Sequence, residues 1–314
     1  KIHDLLLPDL ASSKVLGDLG DKSITKSILQ KAGLPSPLGL GLNECPNDPL
    51  AWLNNHAMSF PIIIKPANVD SSDAIATVNQ ETDFKEAFEK ARAQSTNVIV
   101  ESLLKGRFYN VDIVMQEGQA KALSVTERGF VDDVHHQAQW GLMEAQPKEN
   151  FPEFFELGEK ACLALGYREG PITLDIILTS NHKPFILEMS PHLHSFRLNA
   201  AIGLDEALLN YYRHRAGLTS QPSPKEESFE YGSYLYLHIH ENGRLGNLNS
   251  LEKVRQSPEF LDIDIRVKKG QSIKSKAKHF KTGAIAYFKS SDSRKLLDTM
   301  DQIRREKLWR MQDA

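Results

Sequence analysis

The feature that most constrains the fold of this chain is a pair of apolar runs separated by a short polar break. The runs cover residues 173–178 and 184–190, and both are rich in isoleucine and leucine. The break, residues 179–183, has the polar composition of a hairpin turn. The pattern therefore predicts two antiparallel strands that close symmetrically about Asn181 and His182.

This closure predicts which side chains face one another across the two strands. Asp175 would lie opposite Glu188, and Thr173 opposite Ser190, so that four polar side chains share one face. Facing like charges destabilise a strand pair unless a cation neutralises them, and oxygen ligands on a rigid hairpin suit a hard cation such as Mg²⁺. A register shifted by one residue would instead turn one carboxylate toward solvent, and the sequence leaves both registers open.

Length, charge and cysteine content exclude several classes of protein. A chain of 314 residues can bury the core of a multi-lobed enzyme. Its net charge of -3 and pI near 6.4 give no global attraction to nucleic acid or acidic membranes. No charge-free apolar run approaches the roughly 20 residues that span a bilayer. Two widely spaced cysteines, Cys45 and Cys162, fit a reducing compartment, so we expect a cytoplasmic protein with no nucleic-acid or membrane partner.

Two lysines stand where secondary-structure elements begin or end. Lys22 lies near the start of a predicted helix whose N-cap is Asp21 or Ser23. A cation is unfavourable at that end of a helix dipole, whereas a phosphate would suit both the lysine and the free N–H groups. Lys65 ends the apolar β run 60–66, where loops commonly build sites.

Two further segments have the composition of a nucleotide site. The loop after Lys65 contains Ser71 and Ser72 but no glycine, although backbone that wraps phosphate usually needs glycine. Strand 97–104 carries Glu101 and is followed by Gly106. The open backbone edge of this strand could form hydrogen bonds with an adenine. The alternative is that the segment is an ordinary hairpin.

In their order and spacing, these pieces resemble the ATP-grasp superfamily from Asp21 to about Met311. The resemblance rests on Asp21-Lys22, Ile64-Lys65-Pro66, Val100-Glu101 with Gly106, Asp175, and Glu188-Met189-Ser190. It implies an α+β fold in which two lobes clasp ATP, with a smaller C-terminal α+β lobe similar to that of the L-amino-acid ligase branch.

The resemblance also implies a role for individual residues. Lys22 and Lys65 match the lysines that hold ATP phosphates, with Ser71 and Ser72 in the adjoining loop. For the adenine, the implied set is Glu101, the backbones of Ser102 and Leu104, and Leu187 beneath the ring. For Mg²⁺, with Mn²⁺ as the alternative ion, the implied ligands are Asp175, Glu188 and Ser190.

The chain departs from the family pattern at several positions. Ser190 stands where the third metal ligand is usually asparagine, and a hydroxyl is a weaker ligand. His192 stands where an arginine commonly steadies the reacting phosphate, and Arg197 could substitute for that arginine. His192 and Arg197 are therefore the predicted catalytic residues. Phe108 occupies the position of the acidic residue that often grips the ribose. Together with the loop that lacks glycine, these departures make a catalytically silent, ATP-binding regulatory module one alternative.

The resemblance predicts domain boundaries as well. Residues 1–20 would end an upstream domain or connector, 21–96 form the small ATP-grasp lobe, 97–220 the large lobe with the metal hairpin, and 221–314 the C-terminal lobe. Because the chain begins at Lys1 rather than methionine, we expect the family's N-terminal domain to be absent from it.

The implied function is an ATP- and Mg²⁺-dependent carboxylate–amine ligase that forms an amide or peptide bond through an acylphosphate. An ATP-grasp carboxylase or phosphotransferase is the alternative within the same fold. The expected partners are a small carboxylate and an amine, amino acids among them, and a homo-oligomer is compatible with the pattern. Substrate selectivity would reside in segments such as 128–147 and 192–197.

Overall fold

The computed structural model describes residues 12–69, 75–131, 137–144, 146–194, 198, 206–218, 231–274 and 280–312. The chain divides into two units: unit 1 comprises Lys1–Ala122 and Phe151–His194, and unit 2 comprises Leu123–Asn150 and Ser195–Ala314. This division by contacts does not follow the lobes expected at 21, 97 and 221, which stay a prediction. None of the described helices is long and apolar enough to cross a membrane.

The secondary structure alternates short helices with antiparallel strands. The helices are α1 Ser13–Leu19, α2 Lys22–Lys31, α3 Pro49–Asn55, α4 Phe84–Arg92, α5 Pro147–Asn150, α6 Pro152–Leu165, α7 Glu206–Arg215, α8 Glu252–Arg255 and α9 Ser293–Arg304. The strands are β1 Gly39–Leu42, β2 Ile62–Pro66, β3 Ala76–Val78, β4 Val98–Ser102, β5 Gly106–Gln116, β6 Gln119–Phe130, β7 Ala138–Met143, β8 Gly170–Thr179, β9 Pro184–Ser190, β10 Tyr231–Ile239, β11 Gly243–Arg244, β12 Phe260–Ile265, β13 Ser272–Ile273 and β14 Lys281–Ser290.

Unit 1 contains a four-stranded antiparallel sheet in the order β1-β4-β2-β3. Burial alternates along β2, where Ile62 and Ile64 are fully buried, as expected for a strand with one face against a core. Helix α4 covers that core with the apolar face that its sequence period predicts. The buried residues of α4 are Phe84, Ala87, Phe88 and Ala91.

A second antiparallel group in unit 1 has the order β5-β8-β9. Helix α6 covers one of its faces. The Tyr109 ring on β5 meets the Phe154 ring on α6 with 5.3 Å between centroids. Gly158 of α6 approaches so closely that a Cβ there would lie 3.3 Å from side-chain carbons of Ile113 and Leu174. The apolar side chains of the group therefore face α6, which leaves the opposite face for polar residues.

The β8–β9 hairpin has the predicted register at its carboxylates but not at its turn. Thr173 pairs with Ser190 and Asp175 with Glu188, as predicted. Nearer the turn, Leu178 pairs with Pro184, so the hairpin does not close symmetrically about Asn181 and His182, and that part of the prediction is wrong.

The turn and a β-bulge explain this difference. His182 adopts a left-handed φ of 57° and donates its N–H to the Thr179 carbonyl, while the Thr179 N–H donates to Lys183 O. This lengthens the turn by one residue relative to the prediction. The register shift between Asp175 and Ile176 leaves Leu187 without a partner in the ladder. The bulge at Leu187 offsets the longer turn and restores the opposition of the two acids.

Unit 2 is an antiparallel sheet in the order β12-β14-β10-β7, with β6 beside β7. Its core includes Leu235 and Phe288 from the sheet and Leu296 from α9. Segment 128–147, in which substrate selectivity is expected, contains the end of β6 and all of β7, with Trp140 packed against this core. The segment is therefore mainly sheet in its described residues, and its role in selectivity stays a prediction. The last helix, α9, ends at Arg304.

Candidate active site

The face of β5-β8-β9 opposite α6 carries two rows of polar side chains. Antiparallel register aligns one residue from each strand in each row. The first row is Asn110, Asp175 and Glu188, and the second is Asp112, Thr173 and Ser190. The structure thus brings together the three predicted metal ligands and adds two β5 residues that sequence reasoning missed.

The two missed residues are buried and engage their neighbours on β8. Asn110 is 1% exposed, and its amide Nδ2 donates to Asp175 Oδ1. Asp112 is completely buried, and its carboxylate accepts from the Thr173 hydroxyl. The signal was present in the sequence, because Asn110 and Asp112 are polar residues two positions apart in an otherwise apolar strand.

The second row anchors the chain where it leaves β9. The Thr173 hydroxyl lies 2.7 Å from the His192 carbonyl, and the His194 N–H lies 3.1 Å from Asp112 Oδ1 and 3.0 Å from Thr173 Oγ1. The backbone at His192, a predicted catalytic residue, is therefore held beside the polar face. Its partner in that prediction, Arg197, lies outside the described residues, as do Ser71 and Ser72.

Lys22 reaches the polar face from the start of α2. Its ammonium lies 3.0 Å from Glu188 Oε1 and 3.3 Å from the Val69 carbonyl. Glu188 is about one-third exposed, with 29% of its side chain accessible, whereas Lys22 keeps only 12%. The predicted phosphate-binding cation and a predicted metal ligand are thus direct neighbours.

The N-terminus of α2 itself does not offer the free N–H groups expected from the sequence. Asp21 is the N-cap, and its carboxylate accepts from the N–H groups of Ser23 and Ile24. The Lys22 N–H donates to Ala67 O at 2.9 Å. These donors are satisfied within the protein, so any affinity for phosphate here comes from the Lys22 ammonium rather than from the helix end.

A second charged cluster surrounds Glu101 on β4. Its two carboxylate oxygens contact Lys65 at 2.5 Å and Lys26 at 2.7 Å, and all three groups are largely buried. Burial alone would raise the pKa of Glu101, but Lys65 and Lys26 outweigh it and hold that pKa below its ordinary value. Burial lowers the pKa of Lys26 more than Glu101 raises it.

One face of α2 serves both clusters. Lys22 contacts Glu188 and Lys26 contacts Glu101, and residues four apart lie one turn from each other on the same side of a helix. Lys26 was also missed by sequence reasoning, although its spacing from Lys22 was the available signal. The close pairing of β1 with β4 beside Glu101 depends on Gly39, where a Cβ would come within 2.5 Å of Glu101 Cβ.

The backbone that is predicted to bind adenine directly follows Glu101. The Ser102 N–H is committed to Leu38 O at 2.8 Å, so Ser102 cannot offer it to a base. The Leu104 N–H donates to no described residue and remains available. Leu187, at the bulge, lines a small cavity together with Lys22, Lys26 and Glu188.

These residues fit a magnesium–nucleotide complex. Among the described residues, no set of three His, Cys, Asp or Glu side chains is arranged to hold a metal. The donors here are instead two carboxylates and one hydroxyl, which are the oxygen ligands that Mg²⁺ takes while it keeps several waters. Lys22 and Lys65 would then face the phosphates.

A larger cavity lies elsewhere. It measures about 480 Å³ and occurs within unit 2, between the end of β10 and the residues after α9, and it is lined in part by His240, Arg304 and Trp309. It contains none of the predicted site residues, so cavity size alone would not have identified the polar face as the candidate site.

The fold is that of the ATP-grasp class. The structure superposes on the L-amino acid ligase from Bacillus licheniformis with a TM-score of 0.82 at 17% identity, covering 99% of this chain and 78% of that one. It also matches the biotin carboxylase domain of the Hydrogenobacter thermophilus 2-oxoglutarate carboxylase, a complex with MgADP, with a TM-score of 0.70 at 14% identity, covering 95% and 68% of the two chains.

Within that class, the chain belongs to the family described as D-ala D-ala ligase C-terminus, which matches residues 28–192, more than half of its length. The D-alanine–D-alanine ligase of Cupriavidus pinatubonensis is 30% identical over 42% of this chain and 43% of that protein. That of a Synechococcus strain is 27% identical over 68% and 70%. The matches thus span 43% and 70% of the lengths of these two relatives.

Proposed function

We propose that this protein is an ATP- and Mg²⁺-dependent carboxylate–amine ligase that joins amino acids. The observation that carries the proposal is the opposition of Asp175 and Glu188 on the polar face, with Lys22 in contact with Glu188. The second cluster, Lys65 with Glu101, is connected to this face through α2. Membership of a ligase family supports the same reaction class.

The proposed reaction has two steps. The substrate carboxylate attacks the γ-phosphorus of ATP, the bond to ADP breaks, and an acylphosphate forms. The amine nitrogen of the second substrate then attacks the acyl carbon, phosphate leaves, and the nitrogen loses a proton to give the amide. Both steps concentrate negative charge, so the site must supply fixed cations.

Different residues of this chain would bind the metal, the phosphates and the adenine. Asp175 and Glu188, with Ser190 beside them, would hold Mg²⁺, which when bound neutralises charge on the phosphates. Lys22 would exchange its contact with Glu188 for a phosphate oxygen, and Lys65 would face the phosphates from β2. The Leu104 N–H is the remaining donor for the adenine edge. His192, held by Thr173, and Arg197 would steady the reacting phosphoryl group.

The proposed substrates are amino acids of either configuration. The curated relatives are named for D-alanine, and the structural neighbour for L-amino acids. Formation of a homo-oligomer, use of Mn²⁺ and a cytoplasmic location remain predictions from the sequence.

One assay tests the proposal. The complete protein is incubated with ATP, Mg²⁺ and separate pools of L- and D-amino acids, and phosphate release is followed together with the new amide. We expect amino-acid-dependent release that falls by at least about 100-fold in Asp175→Ala and Glu188→Ala, because each removes a charge that the phosphates require. Glu86→Ala, at an exposed position on α4, is the matched control and should retain activity.

The other outcomes separate the alternatives. Bicarbonate-dependent phosphate release without an amide would support the carboxylase alternative. Nucleotide binding without turnover in any pool would support the silent module. Full turnover in both carboxylate variants would contradict the assignment of the polar face.

A further inference from the structure

Asn110 has a feature that its role in the sheet does not explain. It lies on β5 directly opposite Asp175, and its Nδ2 donates to Asp175 Oδ1. Within the part of the chain that the structure describes, its other polar atom, Oδ1, is buried and has no hydrogen-bond partner. A buried amide oxygen without a partner costs about 1–3 kcal/mol, so a hydrogen-bond donor is expected at this position when the protein works.

The neighbours of Asn110 indicate what that occupant is. Its row continues through Asp175 to Glu188, so the unpartnered oxygen and the two carboxylates belong to one aligned set of acceptors. Acceptors of this kind attract a cation or the O–H groups of water bound to a cation.

We propose that Asn110 is a positioning residue of the metal site. Its N–H orients the Asp175 carboxylate, and its Oδ1 accepts a hydrogen bond from water that accompanies the divalent cation. The inference rests on the proposed function, because it takes Asp175 and Glu188 as the metal ligands. Residues that orient a ligand in this way affect metal affinity by about 10- to 100-fold.

The physical reason is the like charge that Asp175 faces. Glu188 lies opposite Asp175 across the strand pair, and like charges in that position repel each other. The Nδ2–H of Asn110 donates to Asp175 Oδ1 from the other neighbouring strand, β5. This hydrogen bond fixes the position of that oxygen on the polar face.

Asn110→Ala tests the role in binding. Calorimetry with ADP is carried out with Mg²⁺ and again in a metal chelator. We expect the affinity for ADP in Mg²⁺ to fall about 10-fold or more, with less than a twofold change in the chelator. Equal affinity of variant and wild type in Mg²⁺ would overturn the proposal, and so would an equal loss in both conditions.

Asn110→Asp provides a second test that needs no nucleotide. The introduced carboxylate would lie beside Asp175, so Tm should fall in chelator through charge repulsion. It should recover on addition of Mg²⁺ alone, and this rise in Tm should exceed that of the wild type. A fall in Tm of the same size with and without Mg²⁺ would show a merely structural position and overturn the proposal.

Ser124→Ala is the matched control. It removes a buried hydroxyl from β6, a strand that carries none of the proposed metal ligands, so its loss of Tm should be the same in chelator and in Mg²⁺. Failure of the wild type to bind nucleotide would count against the proposed function. The Mg²⁺ response of Asn110→Asp would still decide the present inference.

Discussion

The two charged clusters of unit 1 differ in how their charges are arranged. Around Glu101, one carboxylate lies between Lys26 and Lys65, and all three side chains are largely buried. On the polar face, Asp175 and Glu188 lie opposite each other, Lys22 contacts Glu188, and Glu188 is partly exposed. The first cluster places one acid between two cations, whereas the second places two acids side by side, an arrangement that a bound cation would stabilise.

This difference indicates how stability and ligand binding are divided. A buried charge set with internal partners is sensitive to the loss of any member, because an unpaired charge remains in a medium that solvates it poorly. A partly exposed set of like charges becomes more stable when one charge is removed or when a cation binds. We therefore expect substitutions in the Glu101 cluster to reduce stability and substitutions on the polar face to reduce nucleotide binding.

The largest expected effect is that of Glu101→Gln. The substitution leaves two buried ammonium groups without their counter-ion, so unfolding free energy should fall by about 3–5 kcal/mol. Urea denaturation at neutral pH measures this. Retention of wild-type stability would contradict the claim that the cluster is structural.

The pH dependence of the same variant sharpens the test. Because the pKa of Glu101 lies below its ordinary value of 4.5, ionised Glu101 adds stability that is fully present above that value. This contribution is lost as pH falls through the pKa of the folded state. The wild type should therefore lose this part of its stability on acidification, and Glu101→Gln should show a flatter acid limb.

The next effect compares two lysines on the same helix. Lys22→Met should lower affinity for Mg²⁺–ADP about 10-fold, since one charge-assisted contact to phosphate is worth about 1.5–3 kcal/mol, and should leave stability within about 1 kcal/mol. Lys26→Met removes contacts with Glu101 and the Pro37 carbonyl and should cost about 1–3 kcal/mol of stability. Calorimetry measures the affinity of both variants for Mg²⁺–ADP, and urea denaturation measures their stability. A loss of stability in Lys22→Met together with a loss of affinity in Lys26→Met would contradict the prediction.

The smallest effect concerns Gly39, the glycine of β1 that lies opposite Glu101 on β4. Gly39→Ala places a Cβ 2.5 Å from Glu101 Cβ and 2.9 Å from the Val100 carbonyl, so it should cost about 1–3 kcal/mol. Gly17→Ala, in α1 with no atom within 4 Å of its Cβ, is the control and should stabilise by about 0.5–1 kcal/mol. Equal effects of the two substitutions would show that the close approach at Gly39 is not needed.

Much of the site could be predicted because its signals are local. Apolar runs around a polar break place Asp175 and Glu188 on facing strands, and an N-cap at Asp21 places Lys22 at a helix start. The turn was predicted wrongly, because a non-glycine residue such as His182 with positive φ has no reliable local signal. The bulge at Leu187 that corrects the register depends on the packing of both strands.

Other features depend on residues far apart in the sequence. The sequence of segment 128–147 indicates a polar stretch, yet residues 138–143 within it form β7, where Trp140 pairs with Leu235 on β10. The burial of Lys26 depends on Glu101, and the role of Asn110 depends on Asp175. No local pattern predicts such pairings, because each requires two strands or a helix and a strand to meet.

The sequence by itself determined the chemistry available to this protein: an ordered set of lysines and carboxylates on elements of predictable type. The tertiary structure decided which charges are partners. It gave Glu101 two buried lysines, and it left Asp175 and Glu188 together on an open polar face beside Asn110. The physical reason is that burial and neighbouring charge, which set whether an acid is satisfied or ready to bind, arise only when distant segments pack.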